Sequence, residues 1–149
     1  MAVQGTFPIT ISAPPEAVWP WIADLTKHGE WSPKPYRVEL VSGEAGAVGS
    51  RYRSAGWIPG DKDHANDVEV TESVPHSRFA LRADEEMGSF QNTYDLRPVA
   101  GGTEVTYRLV FPEVGGLQGL MLPVLFPLVG KPNIRKRMQL LKAKVEATR

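Results

Sequence analysis

The chain has 149 residues, with 17 basic and 17 acidic side chains and no cysteine. This length predicts one domain over residues 1–149 that buries about two-thirds of its unfolded surface, so that no disulfide or metal is needed for stability. The balanced charge weighs against a nucleic-acid partner, because phosphate neutralisation supplies most of that affinity. The lack of cysteine excludes thiolate nucleophiles and, with no secretory leader in MAVQGTFPIT, favours a cytoplasmic location.

The first predicted elements are a strand and one or two short helices. Apolar residues at every second position predict a strand in residues 6–12, and Pro8 places it at a sheet edge. The prolines at 14–15 favour a helix start, while Pro20 makes that helix short or kinked. Residues 27–33 are predicted to form a turn or a second short helix. The buried face of the first helix is predicted to hold Val18, Ile22 and Leu25.

The middle of the chain has the pattern of an antiparallel meander, in which short strands alternate with turn residues. Six strands are predicted in residues 36–43, 49–57, 66–74, 78–85, 89–98 and 103–111. In the last two, alternation predicts one covered face and one face in water. The covered face is expected to carry Phe90, Asn92, Tyr94, Leu96, Val105, Tyr107, Leu109 and Phe111.

The C-terminal region is predicted to be helical in two unlike parts. After Pro132, an apolar stripe surrounded by basic residues predicts an amphipathic helix whose inner face holds Ile134, Met138, Leu141 and Val145. Residues 117–130 are apolar all round but too short to span a bilayer. Pro123, Pro127 and Gly130 within that stretch are expected to prevent one straight helix.

Four motifs in this order resemble the START/Bet v 1-like superfamily, particularly its bacterial polyketide cyclase/dehydrase and lipid-transport group. They are ITISAPPEAVWPWIADL, HGEWSP, GAVGSRYR and GGTEVTYRL, and the resemblance spans nearly the whole chain. It implies an α+β helix-grip fold: a seven-stranded curved antiparallel sheet around a long C-terminal helix, with two short helices after the first strand. Pro20 and residues 117–130 depart from the uninterrupted helices usual in that family.

The resemblance also implies an apolar ligand cavity between the sheet and the C-terminal helix, and no cofactor. The tryptophan of HGEWSP, Trp31, is expected at the cavity wall, Trp19 in the core, and Trp21 in either. Inward polar groups are expected to hold the polar end of a ligand, unless they bond to nearby backbone as core tyrosines do. The predicted ligand-binding residues are Trp31, Tyr52, Phe79, Leu81, Phe90, Asn92, Tyr94, Tyr107, Leu109, Leu120 and Val124.

Metal and nucleotide chemistry are not expected. Residues 61–67, DKDHAND, resemble a calcium loop only in part, because Ala65 and Asn66 stand where a ligand and a glycine belong. We interpret this segment as a solvated hairpin loop. His28 and His76 fall in turn segments and form no zinc pair. The chain also contains no nucleophile elbow, Walker loop or dinucleotide fingerprint.

The leading function is therefore the binding or transport of a small hydrophobic ligand, such as a lipid, a fatty acid or a polyketide-like molecule. An alternative is a polyketide cyclase or dehydratase that uses cavity side chains as acid and base. The residues suspected for such chemistry are Tyr52, Arg53, Tyr94 and His28. A second alternative is a regulatory protein that acts through a partner-binding surface.

The apolar segment Leu120–Phe126 and the basic segment Lys131–Arg137 allow three interpretations. The first is a lid followed by a closing helix with a solvated basic face. The second is a peripheral membrane surface, with apolar residues among acyl chains and basic residues on anionic headgroups. The third is a homodimer surface, so the chain is expected to be a monomer or a homodimer.

Overall fold

The computed structural model describes residues 3–58 and 61–148. Its sheet has seven antiparallel strands in the spatial order β1-β7-β6-β5-β4-β3-β2, which leaves β1 and β2 as edges. The strands are β1 (Gln4–Ile11), β2 (Tyr36–Ser42), β3 (Arg51–Ile58), β4 (Asp61–Val74), β5 (Arg78–Glu85), β6 (Gly88–Val99) and β7 (Gly102–Val110). Helix α1 (Pro15–Ala23) and a 3₁₀ helix (Leu25–Trp31) lie between β1 and β2. The chain ends in α2 (Gly116–Leu125), a π-helical turn (Phe126–Gly130) and α3 (Lys131–Ala147).

This architecture confirms the helix-grip prediction, with a curved sheet around a long C-terminal helix. The edge position of β1 agrees with Pro8, since an edge strand needs no donor on its free side. Pro20 lies inside α1, which is only nine residues long. The second short helix is the 3₁₀ helix, and Asp24 caps it by accepting a hydrogen bond from the backbone of Thr26 at 3.1 Å.

The interpretation of residues 61–67 as a hairpin loop was wrong. This segment is the first half of β4 and pairs with β3, with Asn66 opposite Ser54 and His64 opposite Gly56. Its acids are exposed on the outer face, where an antiparallel sheet accepts charge, while His64 and Asn66 are half-buried on the inner face. Pro59 and Gly60, which were assigned to the same loop, lie outside the described residues.

A β-bulge in β4 changes which of its side chains face inward. Val70 pairs with Leu81, but the next pair is Glu72 with Ala80, so one extra residue lies in β4 between them. Such a bulge reverses the alternation beyond it. Val68 and Val70 are buried before the bulge, and Ser73 takes the inner position after it.

Helix α3 buries Met138, Leu141 and Val145 of its predicted stripe and packs beside β1, the 3₁₀ helix and α1. Its C-terminal end is also fastened to the region around the end of β1. Lys142 donates to the backbone oxygen of Thr10 at 2.9 Å, and Glu146 accepts from the backbone N–H of Ser12 at 2.8 Å. These contacts hold the helix against the sheet at the end opposite α2.

The prolines between residues 117 and 130 do not interrupt the helical backbone, which continues from α2 through the π-helical turn into α3. Phe126, in the turn, is buried against Phe111 and Phe7, with ring centroids 4.8 and 6.4 Å away. A side chain at Gly130 would lie 2.5 Å from the Phe126 ring, so the glycine provides room for this anchor.

Within residues 3–58 and 61–148, no helix combines the length and apolarity needed to cross a membrane.

Candidate functional site

A cavity of about 280 Å³ lies between the inner face of the sheet and the first turns of α3. Its apolar wall is made by residues from the 3₁₀ helix, the sheet and α3, namely Leu25, Val68, Leu81, Ala83, Phe90, Leu109 and Ile134. Its polar groups are His28, Tyr36, Ser54, Asn66, Glu85, Asn92, Tyr94, Tyr107, Asn133 and Arg137. The polar groups are numerous for a core, so the cavity is suited to a ligand with a polar part.

A second cavity of about 240 Å³ adjoins the first on the side of β2 and β3. The two share four lining residues, which are Tyr36, Asn66, Asn133 and Arg137. Tyr36 reaches this position because Gly56 lies opposite it in β3, where a Cβ would come within 2.8 Å of its ring. Arg137 therefore lines both cavities.

The structure places the predicted ligand-binding residues in two groups. Six of them line the first cavity, namely Leu81, Phe90, Asn92, Tyr94, Tyr107 and Leu109. The others lie elsewhere. Tyr52 and Phe79 are buried outside the lining, Leu120 and Val124 are exposed on α2, and Trp31 is fully buried behind Arg137. That the first six bind a ligand stays a prediction.

Arg137 is the central charged group of the site. Its Cζ lies 4.4 Å from the centroid of the Trp31 ring, within the range of a cation–π contact. Its Nη2 lies 3.3 Å from Nδ1 of His28. The Trp31 indole N–H in turn donates to the backbone oxygen of Trp21 at 3.2 Å. The last turn of α1 thus fixes the indole on which the guanidinium rests.

His28 is neutral and completes the support of Arg137. Its Nε2 lies 2.8 Å from the backbone oxygen of Ile22, an acceptor, so Nε2 carries the proton and Nδ1 accepts from Arg137. Burial, and secondly the charge of Arg137, lowers the pKa of His28 to about 3. Both ring nitrogens are already engaged, so this histidine is poorly placed to act as a base.

Two buried tyrosines stack beside the guanidinium, with ring centroids 4.7 Å apart. Burial raises the pKa of Tyr94 and of Tyr107 above the ordinary value, although the charge of Arg137 acts in the opposite direction. Tyr107 donates its hydroxyl to Oδ1 of Asn92. Both phenols are therefore neutral at physiological pH, and they provide hydroxyl groups rather than charge.

A small polar cluster lies on the opposite wall. Glu85, at the end of β5, has Oε2 3.3 Å from Nε2 of His64. The Asn66 amide, oriented with its nitrogen toward Glu85, donates to the same carboxylate at 3.2 Å. Among the residues that the structure describes, no three histidine or acidic side chains are grouped so as to hold a metal.

Of the four residues suspected of catalysis, two are remote from the cavity. The Tyr52 hydroxyl accepts from the backbone N–H of Gly46 at 2.8 Å, and the exposed Arg53 lies on the outer face beside Arg37 and Asp63. His28 and Tyr94 line the cavity, but His28 is held neutral as described above.

Sequence reasoning did not identify Arg137, Glu85, Asn66 or Asn133 as site residues, although signals for two of them were present. Arg137 lies three residues after Ile134 and one before Met138, so it is a basic residue within the apolar stripe. Glu85 continues the alternation of Phe79, Leu81 and Ala83. A charged residue in a buried position is the observation that would have revealed both.

Comparison with known proteins agrees with this geometry. The family model described as "Polyketide cyclase / dehydrase and lipid transport" matches residues 2–146. The chain belongs to this family. This match confirms the resemblance that the four sequence motifs indicated. No curated protein sequence matches it significantly.

Solved structures similar to this family member share its fold at low sequence identity. Protein TTHA0849 from Thermus thermophilus is 21% identical with a TM-score of 0.77, covering 98% of this chain and 99% of that one. Protein CV1439 from Chromobacterium violaceum is 22% identical with a TM-score of 0.70, covering 97% and 98%. Ara h 8.0201 is 13% identical with a TM-score of 0.68, covering 99% of each chain. These likenesses show the Bet v 1-like helix-grip fold alone.

Proposed function

We propose that the chain binds and carries a small hydrophobic ligand, of the lipid, fatty-acid or polyketide-like class, in the cavity between the sheet and α3. The observation that carries the proposal is the cavity itself, which has Leu81, Phe90 and Leu109 on its sheet wall and Ile134 on its helix wall. A concave site that combines apolar walls with convergent polar groups is the usual form of a small-molecule site. Family membership supports hydrophobic ligand binding in general.

The size of the cavity favours a small ligand. Ligand pockets measure about 300–1,000 Å³, and the first cavity, at about 280 Å³, lies near the lower limit of that range. The adjoining cavity extends the space past Tyr36 and Arg137. A single acyl chain or a compact ring system suits this volume better than a lipid with two full chains.

A neutral apolar dye tests the cavity directly. Nile red is expected to bind saturably and to be blocked in Ala83→Phe, because Ala83 lines the cavity from β5 and a ring there fills it. Ala65→Phe is the matched control, since Ala65 is exposed on the outer face of the neighbouring strand β4. Unsaturable binding, or equal loss in both variants, would contradict the proposal. Native mass spectrometry after purification from the source organism would then identify the natural ligand.

A cyclase or dehydratase in the same cavity is the alternative class. Tyr94 is the one suspected residue that lines the cavity with a hydroxyl able to donate, and its raised pKa makes it a weak acid. A Tyr94→Phe variant that binds ligand but no longer converts a poly-ketone would favour this alternative. Equal turnover by the unmodified protein and by Tyr94→Phe would exclude Tyr94 as an acid in such a mechanism.

A membrane surface is the second part of the proposal, supported by a stripe of exposed apolar residues along α2. The stripe follows helical spacing through Leu117, Leu120, Met121 and Val124 of α2 and continues to Leu128 in the π-helical turn. Arg135 and Lys136, exposed at the start of α3, add positive charge for anionic headgroups. Two residues of the predicted surface do not belong to it, because Phe126 is buried and Arg137 lines the cavity. A surface for a partner protein stays the competing prediction.

A further inference from the structure

Arg137 is a half-buried cation that has no acidic partner within salt-bridge distance among residues 3–58 and 61–148. The other arginines for which ion pairs are found, such as Arg78 and Arg82, each meet carboxylates on the outside of the sheet. A guanidinium keeps its charge at any physiological pH. The cavity is therefore lined by a positive charge that forms no direct ion pair with any of the described carboxylates.

The groups that hold Arg137 in place are neutral. They are the face of Trp31, the lone pair of His28 and the phenol of Tyr94. Such groups orient a guanidinium and satisfy some of its five N–H donors, but they do not neutralise it. Buried charges in proteins are normally paired, because desolvation without a counter-charge is costly. An anion in the cavity would supply the missing pair.

The opposite wall limits how much negative charge the first cavity accepts. Glu85 lines that cavity and carries a carboxylate, while Arg137 is its one arginine or lysine. A monoanion paired with Arg137 leaves Glu85 as the remaining negative charge of the described lining, whereas a dianion would add a second one. The planar guanidinium also matches the two oxygens of a carboxylate.

We infer that the ligand of this cavity is a monocarboxylic acid with a hydrophobic body, and that Arg137 binds its carboxylate. This inference rests on the proposed function, because it names the ligand class of the same cavity. The acid's apolar body would lie against Leu81, Phe90 and Leu109, and its carboxylate would meet the guanidinium beside Tyr94. Trp31 and His28 are positioning residues, because they hold the guanidinium in place.

Competition against Nile red with matched ligands tests the inference. The probes are laurate with dodecanol and dodecyl phosphate, and naphthoic acid with naphthalenemethanol, so that a chain and a ring system are both covered. At least one acid is expected to bind about tenfold to a hundredfold more tightly than its alcohol, as a charge-assisted pair in a dry site predicts. Dodecyl phosphate is expected to bind less tightly than laurate.

Two variants on one helix locate the effect. Arg137→Met keeps an unbranched apolar stem but removes the charge, and it is expected to abolish the preference of each acid over its matched alcohol. Arg135→Met removes an exposed cation two residues away and is expected to leave the preference intact. Unchanged thermal unfolding of both variants would show that each has folded. Arg137→Lys is expected to restore part of the preference, since it returns the charge without the planar fork.

The outcomes separate this inference from the function on which it rests. The carboxylate inference is overturned if Nile red binds but neither acid binds more tightly than its alcohol, or if the preference for acid persists in Arg137→Met. The proposed binding of a hydrophobic ligand in the cavity would still hold in either case. Tighter binding of dodecyl phosphate than of laurate overturns the monoanion assignment. If Nile red itself does not bind saturably to the unmodified protein, the proposed function fails, and the inference fails with it.

Discussion

Arg137 donates a hydrogen bond to His28, with Nη2 and Nδ1 3.3 Å apart, and the proton on the other ring nitrogen is given to the backbone oxygen of Ile22. This arrangement requires a neutral imidazole. Protonation of Nδ1 would remove the acceptor and place two positive charges in contact in a buried site. The same pair therefore orients the guanidinium and makes the folded state sensitive to acid.

We predict that stability falls as the pH falls below about 6.5. The pKa of His28 is lowered to about 3 in the folded protein from an ordinary 6.5, so between these values the unfolded chain takes up a proton that the folded chain refuses. The free energy of unfolding should decline by up to about 1.4 kcal/mol per pH unit in this window. Urea unfolding at a series of pH values measures the slope.

His28→Gln is expected to flatten this slope, because glutamine does not titrate. His76→Asn, in an exposed turn with a positive φ that asparagine tolerates, is the control that should keep it. The comparison is best made above about pH 5. Asp84 and Glu146 have lowered pKa values, chiefly through hydrogen bonds from Ser89 and Lys142, and their contributions are lost at lower pH. An unchanged slope in His28→Gln would contradict the prediction.

The hydroxyl of Tyr107 and the amide of Asn92 are predicted to be energetically coupled. Tyr107→Phe should lower the free energy of unfolding by about 1–3 kcal/mol, because it leaves the oxygen of Asn92 without its donor. Asn92→Leu should lower it for the converse reason. The double variant should lose less than the sum of the two, by about 0.5 kcal/mol or more. Additive losses would show that the hydrogen bond contributes nothing measurable.

The ring of Trp31 is predicted to contribute more to the free energy of unfolding than the hydrogen bond of its N–H. Trp31→Phe keeps an aromatic face under Arg137 but loses the bond to the Trp21 carbonyl, so a loss of about 1–2 kcal/mol is expected. Trp31→Ala removes the ring and leaves a large cavity in a fully buried site, and about 3–5 kcal/mol should be lost. Trp21→Phe, at a half-buried position, is the control with a smaller effect. Equal losses in the two Trp31 variants would refute this ranking.

Most elements could be predicted from the sequence because their signals are local, whereas their arrangement as a helix-grip fold was implied by the resemblance. Alternation over six strands, the prolines before α1 and the stripe from Ile134 to Val145 each specify an element without knowledge of the others. The helical continuity between residues 116 and 147 could not be predicted. It depends on a π-helical turn whose Phe126 packs against Phe7 and Phe111, and these residues are distant in sequence.

The site was less predictable, since its key group is defined by what surrounds it. Tyr94 and Tyr107 could be assigned to the inner face from their spacing in the strands. Arg137 on the apolar stripe resembles the other cations of α3 in the sequence. The structure distinguishes it, because Trp31 lies beneath it and none of the described acids forms a salt bridge with it. The inner position of Asn66 was hidden because its segment resembles a polar loop rather than a strand.

The last prediction concerns the exposed stripe of α2 and vesicles that contain anionic lipid. The protein should co-sediment with such vesicles at low salt and dissociate as salt rises. Arg135 and Lys136 attract the anionic headgroups, and dissolved salt screens this attraction. Replacing Leu120 and Val124 together by Gln should weaken binding at least tenfold, because both side chains are exposed and available for burial among acyl chains. Val41 and Val48, exposed on β2 and the loop after it, give the matched control pair.

Co-sedimentation with vesicles and sedimentation velocity together distinguish the three interpretations of the stripe. Loss of binding in the Leu120 and Val124 variant but not in the control pair supports a membrane surface on α2. Absence of co-sedimentation at low salt rules it out. If the unmodified protein then dimerises at higher concentration in sedimentation velocity, and the α2 variant does not, the stripe is a surface between two copies. A monomer in both cases would leave the stripe as a lid beside the cavity, because its exposure would then serve neither contact.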